Sequence, residues 1–180
     1  AVHPDLRKAL LISYGVGVTA RALTSLPGLE RIDVVDISRD VFEMDRVVQT
    51  TTGDPLADPR VRVHVEDGRQ YLQTTEARYD LITGEPPPPH GAGVVNLYTL
   101  EYFRLLRARL APGGIVTYWL PVHQLLGRDT QAIVGAAESA RLFLWVVFLL
   151  AMLRAVDPLA RIANIGLVAA ATVAAGAVAI

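Results

Sequence analysis

Residues 9–22 read ALLISYGVGVTARA, and the fold turns on how this stretch is read. Ala9, Leu10, Leu11 and Ile12 form an apolar run of the length of a buried strand. Gly15 and Gly17 follow at once, and from Val18 the chain reads as a helix. Strand, glycine turn and helix make the nucleotide-binding corner of an open α/β sheet. Glycine is needed in such a turn because a side chain blocks close approach of a ligand to the backbone. The following helix start offers unpaired N–H groups and the positive end of a dipole. Taken alone, G-x-G fits a plain tight turn equally well, so the rest of the chain has to decide.

Working outward, a second strand is expected over residues 31–37, ending in Asp36. That carboxylate stands about twenty residues after the glycines, where an acidic side chain accepts hydrogen bonds from both ribose hydroxyls of a nucleotide. The competing role is a helix cap. A helix is expected over 40–49, a loop over 50–59 and a strand over 61–65. His64 in that strand is read as structural. Asp67 and Gly68 follow the strand and open a helix over 69–74. There Asp67 suits an adenine amino group or, equally, a helix N-cap.

A fourth strand over 79–83 runs into Gly84-Glu85-Pro86-Pro87-Pro88-Pro89-His90-Gly91. Four prolines make this a stiff, extended loop. A helix over 96–110, a strand over 115–120 and a helix over 129–141 complete the pattern. Five strand–helix repeats predict a doubly wound, Rossmann-like, mostly parallel sheet. His90 and His123 are further polar candidates at the ligand edge. No metal-ligand spacing occurs, and no metal is expected.

The bulk numbers exclude other classes. The chain has 180 residues, 52% hydrophobic and 19% charged, with a net charge of −1. A nucleic-acid partner calls for a basic surplus that is absent here. There is no cysteine, so disulfides and thiolate metal sites are excluded. The first strand begins within a few residues of Ala1, as in a piece of a longer protein.

Several motifs together resemble the class I S-adenosylmethionine-dependent methyltransferase fold. They are Asp36 after two valines, Asp67-Gly68 before a helix, Tyr79-Asp80-Leu81-Ile82 before a loop, and Leu110-Ala111-Pro112-Gly113-Gly114 before a strand. Within that superfamily the chain resembles the spermidine synthases, or polyamine aminopropyltransferases. The likeness is carried by His3-Pro4, the run from Gly15 to Arg21, Asp58 to Val61, Leu97-Tyr98-Thr99, Glu101-Tyr102-Phe103 and Leu110 to Gly114, and extends from about His3 to Ala136.

The resemblance implies a donor of the S-adenosylmethionine type, carboxylated or decarboxylated, and a small-molecule amine or other nucleophile as acceptor. It places Gly15 and Gly17 against the donor tail, Asp36 on the ribose, and Asp67 with Gly68 at the adenine. It puts Glu85 where the family carries the aspartate that takes a proton from the attacking amine. The acceptor side departs from the family pattern. Val16 stands where the family's glycine-rich turn carries an aspartate, and Pro88 replaces a second acidic residue. The readings kept open are aminopropyl transfer, methyl transfer, and a degenerate, non-catalytic domain attached to a membrane segment.

The C-terminal stretch does not belong to the pattern. Residues 142–153 are uninterrupted apolar, 154–161 carry charges and a proline, and 162–180 carry no charge. The expected division is therefore a nucleotide-binding domain over 1–141, its sheet incomplete, and a hydrophobic helical segment over 142–180. Two readings of it compete: a membrane helix or hairpin at the cytoplasmic face, for which residues 162–180 are just long enough, or buried helices covering sheet surface that missing strands leave bare.

Overall fold

The computed structural model describes residues 6–48, 53–142 and 144–145. Within them the chain alternates strands and helices: β1 (Lys8–Ile12), α1 (Val18–Thr24), β2 (Arg31–Asp36), α2 (Arg39–Val48), β3 (Val61–Val65), α3 (Gly68–Thr74), β4 (Tyr79–Gly84), α4 (Leu100–Arg109), β5 (Leu110–Tyr118), α5 (Gly127–Ser139) and β6 (Leu144–Trp145). The strands form one sheet in the order β3-β2-β1-β4-β5-β6. Every neighbouring pair is parallel.

This order has a physical consequence. The chain builds the sheet in one direction from β1 through β3, then returns to the other side of β1 with β4. Leu11 lies between Val34 of β2 and Thr83 of β4, both in register. The connections from β1 and β4 therefore leave the same edge toward opposite halves of the sheet. A crevice opens between them at the carboxyl ends of the strands, where open α/β sheets hold ligands.

Strand alternation divides the core into two layers. Ala9, Leu11, Ile32 and Val34 meet Ala20 and Leu23 of α1 and Phe42 of α2. Leu10, Ile12, Val35 and Ile82 meet α3, α4 and α5 through Leu72, Phe103, Leu106 and Ile133. Both faces of β1 are thus sealed, as its unbroken apolar sequence requires. Each fully buried Val, Leu, Ile or Phe side chain among them stabilises the fold by roughly 1.5–3 kcal/mol.

Two expectations are corrected. The fifth strand starts at Leu110, not at 115, because the Pro-Gly-Gly stretch is taken up as a register shift between Tyr79 and Leu81 of the partner strand. Gly113 supplies the positive φ of 76° that this irregularity needs. Leu144 and Trp145, expected in a helical segment, form a short sixth strand beside Val116 and Thr117. Apolar runs of this length are ambiguous, and here the open edge of β5 provides partners for their backbone. The compact unit that contains the sheet reaches residue 146. Residues 147–180, on which the membrane expectation rests, lie outside the described residues. Among the described residues no helix is long and apolar enough to cross a membrane.

Candidate active site

The turn after β1 is strained. Ser13, a non-glycine residue, has φ 71°, and Gly15 and Gly17 have φ 61° and 75°. Ser13 is held there by its N–H, which donates to Val35 O at 2.9 Å. The two glycines are required for different reasons. A Cβ on Gly15 would meet nothing within 4 Å, so its positive φ is the constraint. A Cβ on Gly17 would lie 2.6 Å from the Tyr14 hydroxyl and 2.9 Å from Asp45 Oδ1. Tyr14 is fully buried beneath the turn against Phe42. Burial, with the Asp45 carboxylate beside it, pushes the Tyr14 hydroxyl far above its ordinary pKa.

Asp36 ends β2 beside this turn. Its Oδ2 accepts from the Tyr14 N–H at 2.8 Å and its Oδ1 from the Ser38 N–H at 2.9 Å. One carboxylate thus ties the glycine turn to the start of α2. Each oxygen keeps a further lone pair for a ligand hydroxyl. The next residue, Ile37, is 72% exposed, an apolar side chain facing solvent beside the carboxylate.

Asp67 caps α3, its Oδ1 accepting from the Gln70 N–H at 2.9 Å. The capping role that the sequence left open is the one its geometry displays. Gly68 is explained by packing, since a Cβ there would sit 2.5 Å from Ile12 Cγ2. The turn carrying both is brought to the β2 edge by the Glu66 N–H, which donates to Asp36 O at 3.0 Å.

Glu85 leaves β4 on the other side of the crevice. Its N–H donates to Ile12 O at 3.0 Å, and its Oε1 accepts from the Thr19 hydroxyl in the first turn of α1. The carboxylate is therefore held across the crevice from β4 to α1. The proline loop behind it is anchored by Tyr98, whose buried hydroxyl lies 3.1 Å from Pro86 O and 2.8 Å from Pro87 O. Gly84 makes room for the Tyr118 ring, which a Cβ would approach to 2.5 Å. Sequence reasoning missed Thr19, Tyr98 and Ser13. Thr19 lies within the glycine-turn motif, but its partner is 66 residues away.

The histidines sort differently. His90 Nε2 lies 3.1 Å from Gln124 O, linking the proline loop to the turn after β5. His123 lies in that turn, Val122–Gln124. His64 belongs to a buried network one layer below the edge. Asp33, with no exposed surface, accepts from Arg31 Nε at 2.8 Å, His64 Nε2 at 3.0 Å and Tyr79 OH at 2.8 Å. A carboxylate only accepts, so Nε2 carries the proton. This fits the structural reading of His64. Among the described residues no cluster of acidic and histidine side chains is placed to hold a metal ion.

The strand order brings the glycine turn, Asp36 and the acidic residue after β4 to one edge, at the β1–β4 switch point. Residues 1–124 match the spermine/spermidine synthase domain family model. The chain belongs to that family. Polyamine aminopropyltransferases are among its relatives: that of Nitrosomonas europaea is 33% identical over 116 residues, 64% of this chain and 35% of the relative. The enzyme of Streptococcus pneumoniae is 34% identical over 118 residues, 66% of this chain and 41% of the relative. The chain thus spans well under half the length of these curated relatives. The fold matches a spermidine synthase solved with the transition-state analogue AdoDATO, at TM-score 0.65 and 19% identity, over 77% of this chain and 46% of that one. The Thermotoga maritima spermidine synthase matches at TM-score 0.60 and 21% identity, over 77% of this chain and 44% of that one. In this spermidine synthase-family domain the matched region contains every ligand residue expected from the sequence.

Proposed function

We propose that the domain binds decarboxylated S-adenosylmethionine at the carboxyl edge of the sheet and transfers its aminopropyl group to an amine. The observation that carries this is the convergence of the Gly15–Gly17 turn, Asp36 and Glu85 on the crevice between β1 and β4. Gly15 and Gly17 admit the donor tail, Asp36 accepts from the ribose hydroxyls, and Asp67 with Gly68 borders the adenine. In the transfer, the amine lone pair forms a bond to the donor carbon. The carbon–sulfur bond breaks with its electron pair passing to sulfur, which neutralises the sulfonium and leaves methylthioadenosine. The amine proton passes to Glu85, a carboxylate within the crevice. Most of the acceleration comes from holding donor and acceptor together.

Methyl transfer from the carboxylated donor is the second reading, favoured by Val16, which places an apolar side chain in the glycine turn. Calorimetric titration of the chain with both donors and with methylthioadenosine separates the two. Tighter binding of the decarboxylated donor, lost in Asp36→Ala, supports aminopropyl transfer. Preference for the carboxylated donor supports methyl transfer, and binding of neither by the folded chain supports the non-catalytic reading.

The apolar end of the chain, expected over 142–180 but taken here from residue 147 because Leu144 and Trp145 join the sheet, is proposed to associate with a membrane. Residues 162–180 carry nineteen uncharged positions, close to the roughly 20 a membrane helix needs. Arg154 and Arg161 precede them, as suits a cytoplasmic face. Co-sedimentation of the chain with vesicles, lost on removal of 147–180, is the test.

A further inference from the structure

We propose that a cavity at the C-terminal ends of α4 and α5 is a second site, which binds a phosphate group. This site is independent of the transfer reading. α4 returns the chain from the carboxyl edge of the sheet to the start of β5, so its last turn lies away from Asp36 and Glu85. That turn meets the end of α5 through Arg107 Nη1, which donates to Ala140 O at 3.2 Å. Between them opens a cavity of about 340 Å³ lined by Arg104, Arg107, Ala108, Ser139, Ala140 and Arg141. Its polar side chains are thus three guanidinium groups and a hydroxyl. The two helix ends each carry roughly half a negative charge and offset only about one of the three positive charges. Glu101 and Glu138, three residues before Arg104 and Arg141, are exposed and do not line the cavity. Among the described residues neither forms an ion pair with its arginines.

Arg141 gives an independent reason. Its N–H donates to Glu138 O at 2.8 Å, and the Leu142 N–H donates to Ala137 O at 3.1 Å. This pair of bonds closes a helix around one left-handed residue, a place that glycine ordinarily fills. Here an arginine fills it at φ 55°. Strain kept at a single residue points to a task for its side chain, and this side chain lines the cavity. Guanidinium forks match the oxygens of a phosphate, two bonds at a time. The sequence indicates which phosphate. Arg141 is followed at once by the apolar run 142–153, and Arg154 and Arg161 precede the uncharged run 162–180. Basic residues beside an apolar stretch suit the headgroup of an anionic lipid. A free phosphate offers the same chemistry, and the two sources are separated by experiment.

The test uses the full 180-residue chain. It is floated with phosphatidylcholine vesicles, with and without phosphatidylglycerol, and its thermal midpoint is read as inorganic phosphate replaces chloride at matched ionic strength. Arg141→Gly is the decisive variant, because glycine suits the positive φ and the variant keeps its fold. Arg104→Gln is the second, and Arg128→Gln, 82% exposed at the start of α5, is the charge control. Phosphatidylglycerol is expected to strengthen vesicle binding of the parent by about tenfold. Arg141→Gly and Arg104→Gln should each remove most of that gain, and Arg128→Gln should keep it. A midpoint raised by inorganic phosphate in the parent but not in Arg141→Gly, with no gain from phosphatidylglycerol, supports the site with free phosphate as its ligand. Equal responses of the parent, Arg141→Gly and Arg104→Gln to both ligands overturn the site, as does an equal loss in Arg128→Gln. Binding to vesicles of phosphatidylcholine alone reports on residues 147–180, so failure of the membrane proposal is read separately.

Discussion

Ser13 holds a backbone conformation that costs an L-residue roughly 1–2 kcal/mol, at the point where β1 gives way to the ligand turn. Ser13→Gly relieves that strain but adds unfolded-state entropy, which costs roughly 0.5–1 kcal/mol. The expected net gain is about 0.5–1 kcal/mol in urea unfolding. The glycines on either side of Val16 behave oppositely. Gly15→Ala meets open space and costs about 1 kcal/mol through φ alone. Gly17→Ala adds a clash with the buried Tyr14 hydroxyl and costs about 3 kcal/mol. Asp36→Asn keeps the shape but loses the charge, and charge-assisted bonds are about twice as strong as neutral ones. Donor binding should weaken by about tenfold or more in calorimetry. Spacing put Gly15, Gly17 and Asp36 at one strand edge, and the Tyr14 N–H to Asp36 bond joins the turn and the carboxylate there. Asp67 was legible only as an ambiguity, because capping and ligand binding ask for the same side chain. Thr19 was not legible, since its partner is 66 residues away, and Tyr98 was not, since spacing says nothing of which carbonyls its hydroxyl meets.

At the scale of elements, the parallel sheet was predicted from the repeated strand–helix order. What resisted prediction lay at strand ends. Leu110 pairs with Tyr79 because a bulge absorbs Pro112 and Gly113, residues that ordinarily read as a break. Asp33 was invisible as a functional element of packing, because alternation says which face it occupies and not what stands opposite. It links β2 to β3 through His64 and to β4 through Tyr79, whose hydroxyl meets Tyr71 of α3 at 2.8 Å. Burial would raise the Asp33 pKa, yet the hydrogen bonds from Arg31, His64 and Tyr79 outweigh it and hold the carboxyl below the usual range. The pH dependence follows from that direction. The contribution is complete above the unfolded carboxyl value of about 3.9 and is lost as pH falls from there through the lowered folded value. Asp33→Asn should therefore cost about 3 kcal/mol at pH 7, the lower end for a broken buried pair, because Arg31 and His64 each keep 29% side-chain exposure. Urea unfolding at pH 7, 4 and 3 should show a smaller loss of stability with acid in the variant than in the parent.

For the molecule as a whole, the proposed donor site lies at the edge where the strands are tied to one another. The crevice is lined by the ends of β1, β2 and β4, and Asp36 fixes the glycine turn to α2 whether or not a ligand is present. A ligand bound there adds contacts across strands that belong to both halves of the sheet, so it must stabilise the sheet-bearing unit as one body. At a free concentration one hundred times its dissociation constant, a donor that binds only the folded chain contributes about 2.7 kcal/mol. For a domain of this size that is a rise of roughly 5–10 °C in the thermal midpoint. The dependence on strand order makes the prediction specific. Methylthioadenosine, which lacks the transferred group, should give part of the shift through Asp36, and the decarboxylated donor should give more. Adding Asp36→Asn should remove most of both. Thr19→Val, which deletes the Glu85 partner on α1, should leave the methylthioadenosine shift intact and reduce the additional shift of the decarboxylated donor. Equal loss of both shifts in Thr19→Val would mean that the two sides of the crevice act as one donor site and that Glu85 has no separate place on the acceptor side.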